Sequence, residues 1–437
     1  MSASAAVRRR WRTAAAVGTL AAGAGCECAL AQATQATETA PGTRVPHALY
    51  VWGCNDGCTV PQSWQQAGSA AYGVRDAGGA RGVAARRVPV VERPQPVPFF
   101  DDKGVRGIAF AARHAAAIDS QGRLYVWGAA HQAKEPDTPA ARAVAATPVE
   151  VASAGTVTQI SCSASAVYAL TDAGEVLAVP VANGAAPAAQ PVAWAPDVRA
   201  RGNRVVKISA GDAHFAALTA TGQLFCLQEK DWPWPEPLLS AATAAQLTPV
   251  VGGALESNPP IADVACGASH LLARTSDGRV VGLGSDKWCQ LGQDNPGSPI
   301  DHRSSPVELQ WGGRPRGRAI HICAGGDTSF VTVERQDPSV EQVYTCGFGS
   351  YGTLGTGVRT HAQPTLMKIP ALSDKRYYDE VLGSHLPVRT GLSLTAGSAH
   401  AVAAQVRLPF RVVSQVFVNG RWHFHRGRDS LRSTLYI

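Results

Sequence analysis

The sequence predicts an all-β protein, a β-propeller, on three observations. One unit recurs at intervals of roughly 50 residues. Its apolar positions run or alternate as in strands, with no helical period. A glycine-bearing dipeptide falls at a fixed place in each copy. The clearest copy is GASHLLARTSDGRVVGLGSDKWCQLG from Gly267; degraded copies are GDAHFAALTATGQLFCL from Gly211, AARHAAAIDSQGRLYVWG from Ala111 and SASAVYALTDAGEVLAV from Ser163.

Each copy opens on an anchor, a small residue followed at the fourth position by His: Gly211 to His214, Gly267 to His270, Gly397 to His400, and Ala111 to His114. Ala166 and Ser329 hold the His position in two further copies, which gives six anchored units. The apolar runs that follow (HAAAID, AVYALT, HFAALT, HLLART) read as buried strands. Gly122, Gly174, Gly222 and Gly278, each eight residues past its anchor, then turn the chain, since glycine takes positive φ without steric cost. A second strand follows, ending at Trp127-Gly128 in its best-preserved form. Such a hairpin cannot bury both faces alone, so the units must pack around an axis. ALYVWG at 48–53 is the second half of a copy without an anchor, while His400 has no matching second half. The expected closure is therefore an N-terminal strand completing the last blade.

These residues resemble the regulator-of-chromosome-condensation repeat family over about residues 45–405. The likeness rests on Cys266-Gly267-Ala268-Ser269-His270 with Gly278 and Gln290-Leu291-Gly292, on Tyr351-Gly352-Thr353-Leu354-Gly355, and on Trp52-Gly53 and Trp127-Gly128. The resemblance implies seven blades, one more than the anchors counted. Family members look like nucleotide-exchange factors, ligase accessory domains, inhibitors and assembly factors, so fold does not settle activity.

Net charge is +7, but residues 1–32 carry +3 and residues 407–437 carry +5, leaving −1 for the body between them. A body so near neutral lacks the basic footprint of a nucleic-acid binder. The C-terminal segment 406–437 reads as a basic hairpin or tail, with Asn419-Gly420 between alternating stretches as its turn. The ten cysteines are scattered without zinc spacing, so no metal is expected, and most fall at small core positions, which suits a reducing compartment. Residues 1–32, with Arg8, Arg9, Arg10 and Arg12 and no acid before Glu27, have the composition of a mitochondrial presequence. A secretory signal, and a membrane anchor too short for a confident span, are the rival readings.

The recurring histidines tempt an enzymatic reading. Spaced one per blade, they cannot converge on one substrate, and the expected role is to tie each blade to its neighbour. No nucleophile elbow, P-loop or dinucleotide fingerprint is present, and no cofactor is implied. Trp232 and Trp234, on a proline-stiffened segment outside the repeat, are the candidate partner-binding loop. The expected function is a non-enzymatic, protein-binding mitochondrial scaffold, associated with the inner membrane or matrix and assisting assembly of a respiratory complex (complex III foremost) or of the ribosome. Exchange on a small GTPase and a secreted binding or inhibitor propeller are the alternatives.

Overall fold

The computed structural model describes residues 28–30, 49–54, 69–70, 88–132, 139–152, 155–181, 186–194, 204–229, 246–257, 259–293, 302–312, 317–335, 341–350, 352–374, 376–379, 384–387, 392–396, 401–405, 413–418 and 421–426. Among them, seven sheets of four or five strands follow one another along the chain. Sheet 1 sets Cys28–Leu30, Tyr50–Cys54, Val88–Pro96 and Ser69–Ala70 side by side. Sheets 2 to 6 each run in chain order from inside to outside. Sheet 2 is Val105–Phe110, Ala115–Asp119, Leu124–Trp127 and Val149–Val151; sheet 3 is Val157–Cys162, Ala166–Thr171, Val176–Pro180 and Gln190–Pro191. Sheet 4 is Val205–Ala210, His214–Thr219, Leu224–Gln228 and Gln246–Pro249, with Ala193–Trp194 added in parallel at its edge. Sheet 5 is Ile261–Cys266, His270–Thr275, Val280–Ser285 and His302–Glu308; sheet 6 is Gly317–Gly325, Thr328–Arg335, Glu341–Phe348 and Ala362–Lys368. A two-stranded hairpin, Arg376–Asp379 with Ser384–Pro387, precedes sheet 7, made of Leu392–Ala396, Ala401–Gln405, Val413–Val418 and Arg421–Arg426.

The first strands of sheets 2 to 7 lie beside one another in succession, so they form the inner wall of a β-propeller. The core sits between sheets rather than within one. Second strands alternate their faces: Leu271 and Ala273 pack toward sheet 4 with Leu218 and Cys226, whereas Leu272 packs toward sheet 6 with Ile322 and Val331. Each such fully buried Leu contributes about 1.5–3 kcal/mol. This two-sided burial is why the second strands read as apolar runs rather than as strict alternations.

One expectation is corrected. Tyr50–Cys54 pairs with Cys28–Leu30 and Val88–Pro96, not with the strand after His400. That strand, Ala401–Gln405, is flanked by Leu392–Ala396 and by Val413–Val418, which in turn pairs with Arg421–Arg426. The basic segment thus completes the last sheet in place of the N-terminal strand. A hairpin that follows directly along the chain closes a short loop, whereas pairing with the N-terminus closes nearly the whole chain at greater entropic cost.

Candidate functional site

In a propeller whose strands run up, down and up, the anchor loop and the end of the third strand share one rim, and the hairpin glycine lies on the other. The amide of Ser285, closing the third strand, accordingly donates to the anchor carbonyl of Ser269 at 2.8 Å.

On the anchor rim, His114, His214 and His270 have no exposed surface. Burial pulls their pKa values from the ordinary 6.5 down to about 3, about 4 and about 3, so each ring is neutral at physiological pH. Their partners lie in the next sheet. The His114 ring lies against the backbone of Ala166 and the His214 ring against that of His270, while His270 Nε2 is 2.9 Å from Ser329 Oγ. Ser329 spends its own proton on the carbonyl of Gln290 at 2.6 Å, so Nε2 of His270 carries the hydrogen and donates. Each histidine therefore reaches the anchor position of the following sheet. Gly211 and Gly267 leave room for this ring: a Cβ on either would lie 2.1 Å from Cε1 of its own histidine. A backbone chain runs beside the rings, with Ala164 N donating to Asp212 O, Asp212 N to Ala268 O and Ala268 N to Gly326 O at 2.7–2.9 Å. Trp127 is buried among Leu49, Phe100 and Tyr125 on sheet 2, and Gly128 (φ 131°) passes so near Arg113 O that a Cβ would sit 2.4 Å away.

On the opposite rim, the hairpin glycines do more than turn the chain. The carbonyls of Gly122, Gly174, Gly222 and Gly278 accept from Val157, Val205, Ile261 and Ala319, each near the start of the next sheet, at 2.8–3.2 Å. All four have φ between 79° and 90°, and a Cβ would lie 2.0–2.8 Å from Thr156, Arg204, Pro260 or Arg318, at or just before the first strand of that sheet. Sequence reasoning missed a companion position five residues past each anchor. There Asp119, Thr171, Thr219 and Thr275, all buried, accept the amide of the residue four further on at 2.9–3.1 Å, closing the turn. The signal was present as an oxygen-bearing side chain in four copies.

Sheet 3 has no anchor histidine, and a different cluster stands at its junction with sheet 4. Ser163, Ser165 and Tyr168 all donate to the carboxylate of Glu229, at 2.5, 2.5 and 2.9 Å. Gln159 adds a two-way bond to the amide and carbonyl of Ile208 at 3.0 and 3.1 Å.

The repeat residues are thus consumed in holding sheets together, and the aromatic surface available to a partner lies elsewhere. Trp288, Phe348 and His361 form a partly exposed cluster on the anchor rim between sheets 5 and 6, with ring centroids 4.8–5.7 Å apart and steeply inclined planes. The loop carrying Trp288 is braced internally: Trp288 N donates to Gln290 Oε1 at 2.8 Å, Leu291 N to Asp286 Oδ1 at 2.9 Å, and Lys287 lies over the indole at 5.4 Å. Sequence reading passed over Trp288 because it falls inside the repeat, four residues past Gly284, where sheet 6 has Tyr351 past Gly347. Gly397 and His400 lie outside the described residues, as do Trp232 and Trp234; the chain leaves sheet 4 toward that pair at Gln228, on the anchor rim.

The cysteines at the anchor positions are equally internal. Burial pushes the thiols of Cys266 and Cys323 up to about 12. Among the described residues no group of three or more His, Cys, Asp or Glu is placed to hold a metal, and no helix is long and apolar enough to cross a membrane.

Comparison with known proteins gives the same repeat. Residues 205–226 and 261–287, the inner strands of sheets 4 and 5, match the regulator of chromosome condensation repeat. The chain is similar to the mouse regulator of chromosome condensation, 28% identical over 156 residues, which is 35% of this chain and 32% of the mouse protein. It is 33% identical over 95 residues to the zebrafish protein RCC2 homolog, covering 22% of this chain and 17% of that one. The matched segments span about a third of these relatives or less. Among solved structures, human WBSCR16 superposes with a TM-score of 0.60 at 13% identity, covering 89% of this chain and 87% of that one. The yeast protein Prp20, solved bound to Kap60, gives 0.55 at 17% identity over 76% and 74%. At such identities the likeness is one of fold.

Proposed function

We propose that this chain, a ring of regulator of chromosome condensation repeats, works as a non-enzymatic protein-interaction scaffold. The observation that carries the reading is the division of labour on the anchor rim. The repeated histidines are buried, neutral and turned onto the next sheet, with His270 hydrogen-bonded to Ser329 there, while Trp288, Phe348 and His361 present a braced aromatic surface beside them. Tryptophan in a rigid loop gives much contact area for little lost entropy, which suits a protein partner.

The arginine-rich segment before Glu27 supports a mitochondrial setting, and with it the finer proposal of assistance to assembly of a respiratory complex, complex III foremost, or of the ribosome, from the matrix or the inner membrane. A leader removed on import would end before Cys28, since Cys28–Leu30 is a strand of sheet 1. Affinity purification from isolated mitochondria is expected to recover components of one such complex. Trp288→Ala is expected to lose them while its melting temperature stays within a few degrees of the parent. Recovery of no respiratory or ribosomal component, or equal recovery by Trp288→Ala, would sink the proposal. Exchange on a small GTPase is the second reading, resting on the family resemblance; nucleotide-release assays showing no acceleration remove it.

A further inference from the structure

The inner wall is irregular in a regular way. In each of sheets 2, 4, 5 and 6 the first strand slips register near its start, and the residue after the slip (Gly107, Lys207, Asp263, His321) faces a fixed partner on the second strand. Those partners are Ile118, Leu218, Arg274 and Thr332. In sheet 3 the corresponding pair is Gln159 and Leu170. Where three sheets place Ile or Leu, sheet 5 places an arginine.

Arg274 is half-buried, and among the described residues its guanidinium has no hydrogen bond or ion pair; its Nε is fully enclosed without a partner. The carboxylate nearest in register, Asp263, is already engaged by Lys207 of sheet 4 and by the amide of Val264. His321 of sheet 6 contributes a second enclosed nitrogen without a partner, Nδ1. Lys207, Arg274 and His321 thus lie about one carboxylate, with Arg318 near Arg274 but donating to the carbonyl of Ser276, in a body whose overall charge is −1. Burial of a guanidinium nitrogen with no hydrogen-bond partner is costly even beside a carboxylate shared with Lys207, and the apolar residue of the sister sheets would avoid that cost. The planar fork of arginine matches a two-oxygen anion bidentately.

We propose that Arg274 and His321, supported by Lys207, form a binding site for an oxyanion where the inner strands of sheets 5 and 6 approach the hairpin rim. The ligand is a carboxylate or a phosphate, seated on the fork of Arg274. This site lies on the rim opposite Trp288 and does not depend on the scaffold reading, so the mitochondrial purification neither supports nor weakens it.

The test compares the full chain with Arg274→Leu, which restores the residue type of sheets 3 and 4 and is expected to fold. Two probes are titrated at constant ionic strength, inorganic phosphate and a short blocked peptide rich in Glu, following melting temperature and calorimetric heat. At least one probe is expected to bind the parent and raise its melting temperature, and its affinity to fall tenfold or more in Arg274→Leu. Binding of phosphate alone identifies a free phosphorylated ligand, and binding of the peptide alone an acidic segment of a protein. If neither probe binds the parent, or both bind Arg274→Leu equally well, the proposal is overturned.

Discussion

The junction between sheets 3 and 4 and the junction between sheets 5 and 6 join equivalent edges of the same ring with different chemistry. At the second, His270 donates to Ser329 across the gap, and Ser329 passes its own proton to Gln290. At the first, Ala166 stands in the histidine position, and the tie is Glu229 accepting from Ser163, Ser165 and Tyr168. Both junctions keep the backbone bonds at the two rims: Ala164 to Asp212 and Val205 to Gly174 in one, Ala268 to Gly326 and Ala319 to Gly278 in the other. The backbone contacts set the ring, and the side-chain bond at each junction is required only to be satisfied, in whichever chemistry is at hand. The repeat therefore tolerates loss of its most conspicuous residue.

The comparison can be broken most forcefully at the buried histidine. His270→Ala removes a fully enclosed ring and one inter-sheet bond, and is expected to cost about 2–4 kcal/mol from the cavity and the lost hydrogen bond together. Denaturant unfolding measures it, and a cost under about 1 kcal/mol would mean the ring is not held there. Glu229→Ala probes the other junction. It strands three hydroxyls, but the site is partly open to water, which takes over some of their bonding, so the expected cost is smaller, about 1–2 kcal/mol. Glu229→Gln, which keeps an acceptor oxygen and loses the charge, is expected to fall below Glu229→Ala; equality of the two would show that the charge carries the whole interaction.

Much of this architecture was legible because it rests on local rules. The hairpin glycines announce themselves through their spacing and their need for positive φ; their close approach to the next sheet depends on Thr156, Arg204, Pro260 and Arg318, which no local pattern marks. The anchor histidines were legible as a repeat, but the Glu229 tie was not, because it joins residues of separate copies that share no motif. Sheet 1 lacks an anchor and showed only its Trp52-Gly53 relic, so its strand was assigned to the wrong end of the ring. Arg274 sits in HLLART, where a strand-forming run conceals a charge at an apolar position. Aligned on the anchor, the four runs already set it against Ile118, Leu170 and Leu218, and the strand register shows that each of these faces the residue after the slip in the first strand.

The central claim is that the repeated histidines are buried neutral ties rather than reactive groups, and the pH dependence of unfolding tests it most directly. The unfolded chain binds a proton on His270 at the ordinary 6.5, whereas the folded ring waits until about 3. The unfolded state therefore holds the extra proton, and stability present above pH 6.5 is lost as the pH falls. For one such histidine the loss approaches about 1.4 kcal/mol per pH unit well below 6.5. Unfolding free energy measured from pH 7 to 5 for the parent and for His270→Gln is predicted to fall less steeply in the variant by about that amount per unit at the acid end. Identical slopes would contradict the account, since they would mean that His270 titrates in the folded ring as it does in water.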